Sequence, residues 1–223
     1  MLQSYDAILG FSFFDKLVNP AVWDTSCIIL HLKKIMSHRT IYQLLIDDSA
    51  SMQAILEESI IGINNQIKHI REVGLRNPED EVLVSLYFFN HTLRKVYQNK
   101  EARFLNDLNI LDFKPEGMSA FYDALGMCIL DLKRFTTDFV AESEWNVVVI
   151  IFSDGIDNAS NKFSIDELND TIRELNETNQ WSFIFIGTGL KSKQVAESLA
   201  IVGYNYIFFS SDSALKILGG GLN

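Results

Sequence analysis

The stretch IYQLLIDDSASM, residues 41–52, decides the fold of this chain. It begins as a short apolar run that ends in Asp47, which is typical of a buried strand. Small and polar residues follow at once, and from Ser51 to about Val73 apolar side chains recur at the spacing of one helical face. The stretch therefore predicts a strand that passes through a tight turn directly into a helix.

The same alternation of strand-like and helix-like segments continues along the sequence. The run NVVVIIFSD at 146–154 has consecutive β-branched residues and no polar alternation, which predicts a central parallel strand buried on both faces. Residues 164–167 form a capping box, which predicts the start of a helix. The other predicted elements are a hairpin at 82–90 and 92–97, helices at 105–111, 120–135, 192–201 and 213–218, and strands at 181–188 and 206–210.

This order of elements predicts a doubly wound α/β fold. We expect a mostly parallel six-stranded sheet with one antiparallel edge strand, supplied by the hairpin, and helices on both faces. Residues 1–38 do not fit the alternation and are predicted to be an N-terminal extension, with the domain at 39–223. Ligands of such folds bind beyond the carboxyl ends of the strands. The predicted strand ends are Asp47, Asn90, Asp154 and Thr188.

Composition narrows the classes of function. The chain has 223 residues, which suits one domain with a short extension, and its formal net charge of −10 disfavours nucleic acid as a partner. No apolar run reaches the roughly 18–20 residues of a membrane span, and the first residues lack the basic start of a signal peptide. Cys27 and Cys128 lie in apolar runs and are predicted to be buried thiols. A cytoplasmic setting is expected.

Oxygen-bearing side chains collect at the predicted strand ends. Asp47, Ser49 and Ser51 lie in the first strand–helix turn, Asp154 ends the central strand, and Ser119 precedes a helix. Neighbouring parallel strands would bring these residues to one point. Carboxylates and hydroxyls are hard donors that suit Mg²⁺, Mn²⁺ or Ca²⁺ rather than zinc. Each serine alone also fits a helix N-cap, a role that needs no metal, but their combination in one chain favours a metal site.

The segments that carry these residues resemble the metal-ion-dependent adhesion site of von Willebrand factor type A (VWA) domains. The first motif of that family, Asp-x-Ser-x-Ser, matches Asp47, Ser49 and Ser51. The second motif resembles GMSAFYDA at 117–124, and the third resembles SDG at 153–155. All three occur in the family's order, and the resemblance implies a Rossmann-like VWA fold.

The sequence departs from the family pattern at three positions. Ser119 stands where threonine is usual, and Met118 and Ala50 each replace a common glycine. A serine keeps the hydroxyl but loses the methyl group that restricts the rotamer. The adjacent Asp48 adds a second carboxylate beside the first motif; we expect its side chain to point into solvent, and tuning of the metal affinity is the alternative. The resemblance covers residues 39–218, most of the chain.

The resemblance implies a protein-interaction module rather than an enzyme. A divalent ion would be held by Asp47, Ser49, Ser51, Ser119 and Asp154, with water at the remaining positions in the free protein. An aspartate or glutamate from another protein would complete the coordination in the bound form. The hydroxyl-rich site favours Mg²⁺, with Mn²⁺ and Ca²⁺ as alternatives.

Two other functions are compatible with an α/β fold. A Mg²⁺-dependent phosphotransferase or hydrolase of the related phosphatase type would need Asp-x-Asp on the first strand, whereas this chain has Asp47-x-Ser49. A nucleotide-binding domain would need a glycine-rich phosphate loop, and neither common pattern occurs. Asp157 and Asn158, beside the third motif, fit either partner contact or turn formation, and the turn is favoured.

Overall fold

A sheet of six strands with flanking helices forms the structure. The computed structural model describes residues 38–208, except 77, 138, 140–143, 188 and 202–204. The strands are β1 Arg39–Asp47, β2 Glu81–Phe89, β3 Leu93–Glu101, β4 Trp145–Ser153, β5 Trp181–Gly187 and β6 Tyr206–Phe208. The α-helices are α1 Leu56–Arg76, α2 Phe121–Thr136, α3 Ile165–Glu177 and α4 Gly189–Ser198, and 3₁₀ turns lie at Ala50–Ile55, Ala102–Phe104 and Ile110–Asp112.

The strand order is β3-β2-β1-β4-β5-β6, and every neighbouring pair is parallel except the β2–β3 hairpin. This confirms the predicted mostly parallel sheet with one antiparallel edge strand. Winding proceeds outward from β1 to β2 and then crosses to β4 on the other side. β1 and β4 therefore flank the point at which winding reverses, where open α/β sheets bind their ligands. Ile46 lies opposite Phe152, so the two strands end level with each other.

The central strand β1 packs on both of its faces. Leu45 contributes to a core shared with α2, α3 and the α4 region, whereas Leu44 and Ile46 contribute to a second core shared with α1. All three side chains are fully buried, and burial of such a side chain contributes about 1.5–3 kcal/mol. The prediction of helices on both faces is confirmed, with one helix on one face and three on the other.

The segment that follows β3 differs from its prediction. No α-helix forms at 105–111; the chain there is irregular and ends in the 3₁₀ turn Ile110–Asp112. Side chains of α1 bind the backbone groups that a helix would use. Asn64 donates to the carbonyl oxygen of Leu108 at 2.8 Å and accepts its N–H at 2.7 Å, and Arg71 donates to the carbonyl oxygen of Leu105 at 3.0 Å.

Other predicted elements shift by a few residues. The helix expected from Ser51 begins with a 3₁₀ turn and becomes α-helical at Leu56. The capping box of α3 is present, with Ser164 and Glu167 each accepting the other's backbone N–H. Cys128 is a buried free thiol, as predicted. The predictions for Cys27, Thr188, the N-terminal extension and the last helix at 213–218 fall outside the described residues.

No helix in the described part of the chain is long and apolar enough to cross a membrane.

Candidate metal centre

Three loops at the carboxyl edge of the central strands form the candidate site. They are the first loop (residues 47–51), the second loop (113–120) and the third loop (153–159). The first and second loops are joined by a hydrogen bond from the Ala50 N–H to the Gly117 carbonyl oxygen at 3.1 Å. The second and third are joined by the Asn158 N–H, which donates to the Ser119 carbonyl oxygen at 2.9 Å. The predicted motifs therefore meet at one place.

Asp47, the last residue of β1, is 1% exposed. Its Oδ1 accepts the backbone N–H of Ser49 at 2.9 Å, and its Oδ2 accepts the hydroxyl of Ser153 at 2.7 Å. Burial raises the pKa of Asp47 to about 6; hydrogen bonds from the two serines oppose the rise, and the charge of Asp154 adds to it. A buried carboxylate without a cationic partner is costly, so this environment favours a bound cation.

The hydroxyls of Ser49 and Ser51 lie side by side, with their Oγ atoms 3.2 Å apart. Ser49 occupies the N-cap position of the first 3₁₀ turn, yet its side chain makes no capping hydrogen bond. The alternative role as a helix cap is therefore not what this hydroxyl performs. Ser49 is buried and Ser51 is exposed, so the pair leads from the end of β1 to the surface.

Ser119 is 1% exposed, and among the described residues its hydroxyl has no hydrogen-bond partner. Its backbone is held firmly: the N–H donates to Asn158 Oδ1 at 2.8 Å, and the carbonyl oxygen accepts from the N–H groups of Asn158 and Ala159. The N-cap of α2 is Ala120, so the Ser119 hydroxyl has no capping role either. Leaving a buried hydroxyl unpaired costs about 1–3 kcal/mol, and a cation would provide its missing partner.

Asp154 follows β4 and is half-buried, with Oδ1 accepting the N–H of Ile156 at 2.9 Å. The preceding residue, Ser153, donates its hydroxyl to Asp47 at 2.7 Å, so Asp154 follows directly on a residue that contacts Asp47. The next residue, Gly155, has φ of +79°, and a Cβ there would lie 2.7 Å from the Cα of Ser192. The third loop can therefore pack against α4 only with glycine at this position.

The donor set is rich in hydroxyls. Nowhere in the described ranges do three or more His, Cys, Asp or Glu side chains converge in a way that could hold a metal. The five predicted residues instead offer two carboxylates and three hydroxyls, all hard oxygen donors. This chemistry fits Mg²⁺, Mn²⁺ or Ca²⁺.

The remaining predicted edge residues have other roles. Asn90 closes the β2–β3 turn, because its Oδ1 accepts the N–H of Thr92 at 2.9 Å. Asp157 accepts the N–H of Tyr122 at 3.2 Å and Asn158 accepts that of Ser119, so both side chains join the third loop to the second loop and the first turn of α2.

His91, in the turn between β2 and β3, is exposed, and its ring lies against Gly117. That glycine has φ of +71°, and a Cβ on it would come within 2.6 Å of the His91 Nδ1.

One residue of the site was wrongly placed from sequence, and another was missed. The prediction that Asp48 points into solvent is wrong: the residue is 3% exposed, its carboxylate accepts the N–H of Lys114 at 2.9 Å and it pairs with Arg94 at 3.2 Å. Burial raises the pKa of Asp48, and these two partners oppose the rise. Ser153, which orients Asp47, was quoted only as part of the third motif. The one sequence signal for it is its place immediately before Asp154, at the end of a strand predicted to be buried.

Comparison with known proteins places the fold. No protein-family model matches the chain, and no curated protein matches it. Among solved structures, the type V pili tip protein Mfa5 from Porphyromonas gingivalis is 10% identical, with a TM-score of 0.58 over 82% of this chain and 49% of that one. PTMP1 from the mussel byssus, with a zinc-occupied MIDAS motif, is 18% identical, with a TM-score of 0.51 over 83% and 45%. The ArnB paralog VWA2 from Sulfolobus acidocaldarius is 17% identical, with a TM-score of 0.48 over 80% and 43%.

The strand order, the single antiparallel edge strand and the helices on both faces define the chain as an α/β protein with the VWA-type fold. At identities below 20% the likenesses to Mfa5 and PTMP1 concern the fold alone. The chain spans less than half the length of each of the three structures.

Proposed function

We propose that this chain is a divalent-metal-dependent protein-interaction module. The ion is held by Asp47, Ser49, Ser51, Ser119 and Asp154, and Mg²⁺ is the expected ion, with Mn²⁺ and Ca²⁺ as alternatives. The observation that carries the proposal is the buried Ser119 hydroxyl, which lacks a partner in the described structure although its backbone is fixed on the carboxylate-bearing edge of the sheet. A role as a metal ligand accounts for this buried hydroxyl, which makes no hydrogen bond among the described residues.

The partner supplies a carboxylate. Mg²⁺ prefers six oxygen ligands, and five protein donors leave a position for an outside oxygen. An aspartate or glutamate side chain of another protein provides a hard, charged donor for that position. Beside Ser119, the side chain of Met118 is 56% exposed, and an exposed methionine next to an open metal position gives a protein partner an apolar contact. The net charge of −10 argues against nucleic acid as the partner.

The mussel PTMP1 structure supports a divalent cation at this position of the fold, because its MIDAS motif is occupied by zinc. The donors in this chain are carboxylates and hydroxyls, which are harder than the ligands that zinc favours. We therefore expect Mg²⁺ or Mn²⁺ to be the preferred ion here.

We propose that the domain is not an enzyme. A phosphatase-like mechanism would use Asp47 as the nucleophile, but both of its carboxylate oxygens accept hydrogen bonds, from Ser49 and Ser153. Ser49 stands where the Asp-x-Asp motif of such phosphatases would have its second aspartate. Turnover of a generic phosphate ester that disappears in the Asp47→Asn variant would support the hydrolase instead. The cytoplasmic setting stays a prediction.

Direct titration tests the metal site. Mg²⁺, Mn²⁺ and Ca²⁺ are titrated calorimetrically into the full chain and into the Asp154→Ala variant. The matched control is Asp123→Asn, because Asp123 is also a carboxylate that accepts backbone N–H groups, those of Lys162 and Phe163. We expect binding to wild type and the control but not to Asp154→Ala. Equal binding to all three proteins, or to none, would contradict the proposal.

Metal-dependent capture tests the interaction. The chain is immobilised in the presence of Mg²⁺, and bound partners are eluted with EDTA. Each eluted protein is then purified and tested again for binding to the chain, both as wild type and as variants in which its surface Asp and Glu residues are changed one at a time to Asn and Gln. One acid-to-amide change should abolish binding. Binding that survives EDTA and the Asp47→Ala substitution would exclude the mechanism.

A further inference from the structure

Asp48 links the first loop to the end of β2 and to the start of the second loop. Both of its carboxylate oxygens accept the N–H of Lys114, at 2.9 and 3.0 Å, and Arg94 donates to Oδ2 at 3.2 Å. Its backbone also takes part, because its N–H donates to the Phe89 carbonyl oxygen at 2.7 Å and its carbonyl oxygen accepts the N–H of Glu116 at 3.1 Å. One buried residue thus holds the end of β2 and the start of the second loop.

Arg94 extends this connection from the edge strand β3. Its Nη2 donates to the carbonyl oxygen of Asp112 at 2.9 Å as well as to Asp48, and its guanidinium group lies 4.3 Å from the ring centroid of Phe88. A planar guanidinium group can bridge two acceptors and stack on a ring at the same time, which an ammonium group cannot do. Arg94 therefore fixes the chain immediately before the second loop.

The second loop is consequently held at both ends. Asp48 and Arg94 hold its start, and Asn158 holds Ser119 near its end. We propose that Asp48 and Arg94 are positioning residues for the metal centre, which set the second loop so that the Ser119 hydroxyl reaches the ion. This inference rests on the proposed metal binding and assigns the ion's affinity partly to residues that do not touch it.

A positioning role and simple electrostatics predict opposite changes in metal affinity when Arg94 is removed. Arg94 is a cation bonded to a carboxylate next to two proposed ligands, so electrostatics alone predicts that its removal strengthens metal binding. Positioning predicts the reverse, because loss of Arg94 leaves the Asp48 charge buried and unpaired, and the second loop shifts to hydrate it. The sign of the change in metal affinity therefore decides between the two.

The test compares Arg94→Gln with Arg71→Gln. Arg71 is a matched control, because it also donates to a backbone carbonyl, that of Leu105 at 3.0 Å, and to a carboxylate, that of Asp107 at 3.1 Å, but on α1 outside the three loops. Mn²⁺ affinity is measured by calorimetry, and unfolding by urea in EDTA. We expect both variants to be less stable and only Arg94→Gln to bind Mn²⁺ more weakly, by about 10- to 100-fold. Unchanged or tighter binding by Arg94→Gln overturns the inference.

A second variant covers the case in which Arg94→Gln does not fold. Arg94→Lys keeps the positive charge but loses the guanidinium geometry. A positioning role therefore predicts weaker Mn²⁺ binding, whereas a pure charge effect predicts unchanged Mn²⁺ binding. If wild type binds Mn²⁺, Asp154→Ala does not, and Arg94→Lys binds like wild type, the positioning role fails while the metal site stands. If wild type binds no ion, both proposals fail.

Discussion

Ser85 and Ser119 are both buried serines, but their hydroxyls have different surroundings. The Ser85 Oγ accepts the N–H of Asn99 at 3.0 Å, so it contributes to the fold through a satisfied hydrogen bond. Within the described structure the Ser119 Oγ lacks such a bond. The two residues therefore differ in whether the hydroxyl stabilises the protein without metal.

Ser119→Ala should weaken metal binding without destabilising the metal-free protein. Removing an unpaired buried hydroxyl relieves its desolvation, so we expect the free energy of unfolding in EDTA to stay equal or rise by up to about 1 kcal/mol. Mn²⁺ affinity should fall by at least about tenfold, because a ligand is lost. Ser85→Ala is the control and should lower stability by about 1 kcal/mol with metal affinity unchanged. Destabilisation of Ser119→Ala in EDTA would assign the hydroxyl a structural role.

We expect Asp47 to make the metal-free protein more stable in mild acid than at neutral pH. Its pKa is raised from 3.8 to about 6, so its stabilising contribution is fully present below pH 3.8 and is lost as the pH rises through 6. In EDTA we expect the free energy of unfolding to be about 1 kcal/mol higher at pH 5 than at pH 7. We expect metal binding to have the opposite pH dependence and to weaken about tenfold from pH 7 to pH 5, because the ion would displace a proton.

The pH effect is measured by urea unfolding and calorimetry in wild type and Asp47→Asn. Asp48 also has a raised pKa. Its contribution cancels when the pH dependence of the free energy of unfolding in Asp47→Asn is subtracted from that in wild type. A wild type and a variant with the same pH dependence would show that Asp47 does not titrate in this range.

β1 and β4 were predictable from this sequence because each contains a mainly apolar run, and the run of β4 is rich in β-branched residues. β1 and β4 begin and end within two residues of the predicted bounds. The helix predicted at 105–111 was wrong, because the segment's backbone bonds to Asn64 and Arg71, which lie more than 30 residues earlier. Local periodicity contains no information about such partners.

Gly126→Ala tests how tightly α2 packs against the segment before α3. A Cβ at Gly126 would lie 2.5 Å from the Cγ of Phe163. Alanine favours a helix over glycine by about 1 kcal/mol, but overpacking costs about 1–3 kcal/mol, so we expect net destabilisation. Phe163→Leu in the same chain should recover part of the loss, which a double-mutant cycle in urea measures. Increased stability of Gly126→Ala alone would mean that the ring moves aside freely.

The whole site was only partly predictable. Asp47, Ser49 and Ser51 are close in sequence and form a recognisable motif, and parallel strands explain why Asp154 lies near them. The Asp48–Arg94 pair joins residues 46 positions apart, across an edge strand whose register the sequence does not specify. The surroundings of the ligands depend on tertiary contacts, and these became known only from the structure.

Metal should stabilise the entire domain. Its proposed ligands come from three loops, so unfolding must release the ion. At a free metal concentration 100 times the dissociation constant, stabilisation is about 2.7 kcal/mol, which raises the Tm by about 5–10 °C for a domain of this size. Thermal unfolding of the full chain with Mg²⁺ and with EDTA measures the shift. Asp154→Ala should abolish it, and an equal shift in that variant would indicate binding elsewhere.

The reversal of winding between β1 and β4 has a consequence during synthesis of the protein. More than half of the domain's chain separates Asp47 from Asp154, so the two carboxylates meet only after the ribosome has released β4 and it has paired with β1. A nascent or truncated chain that ends before Trp145 has the first motif but cannot assemble the centre. On the proposed function, metal-dependent binding of a partner would therefore require β4 to be synthesised and paired with β1.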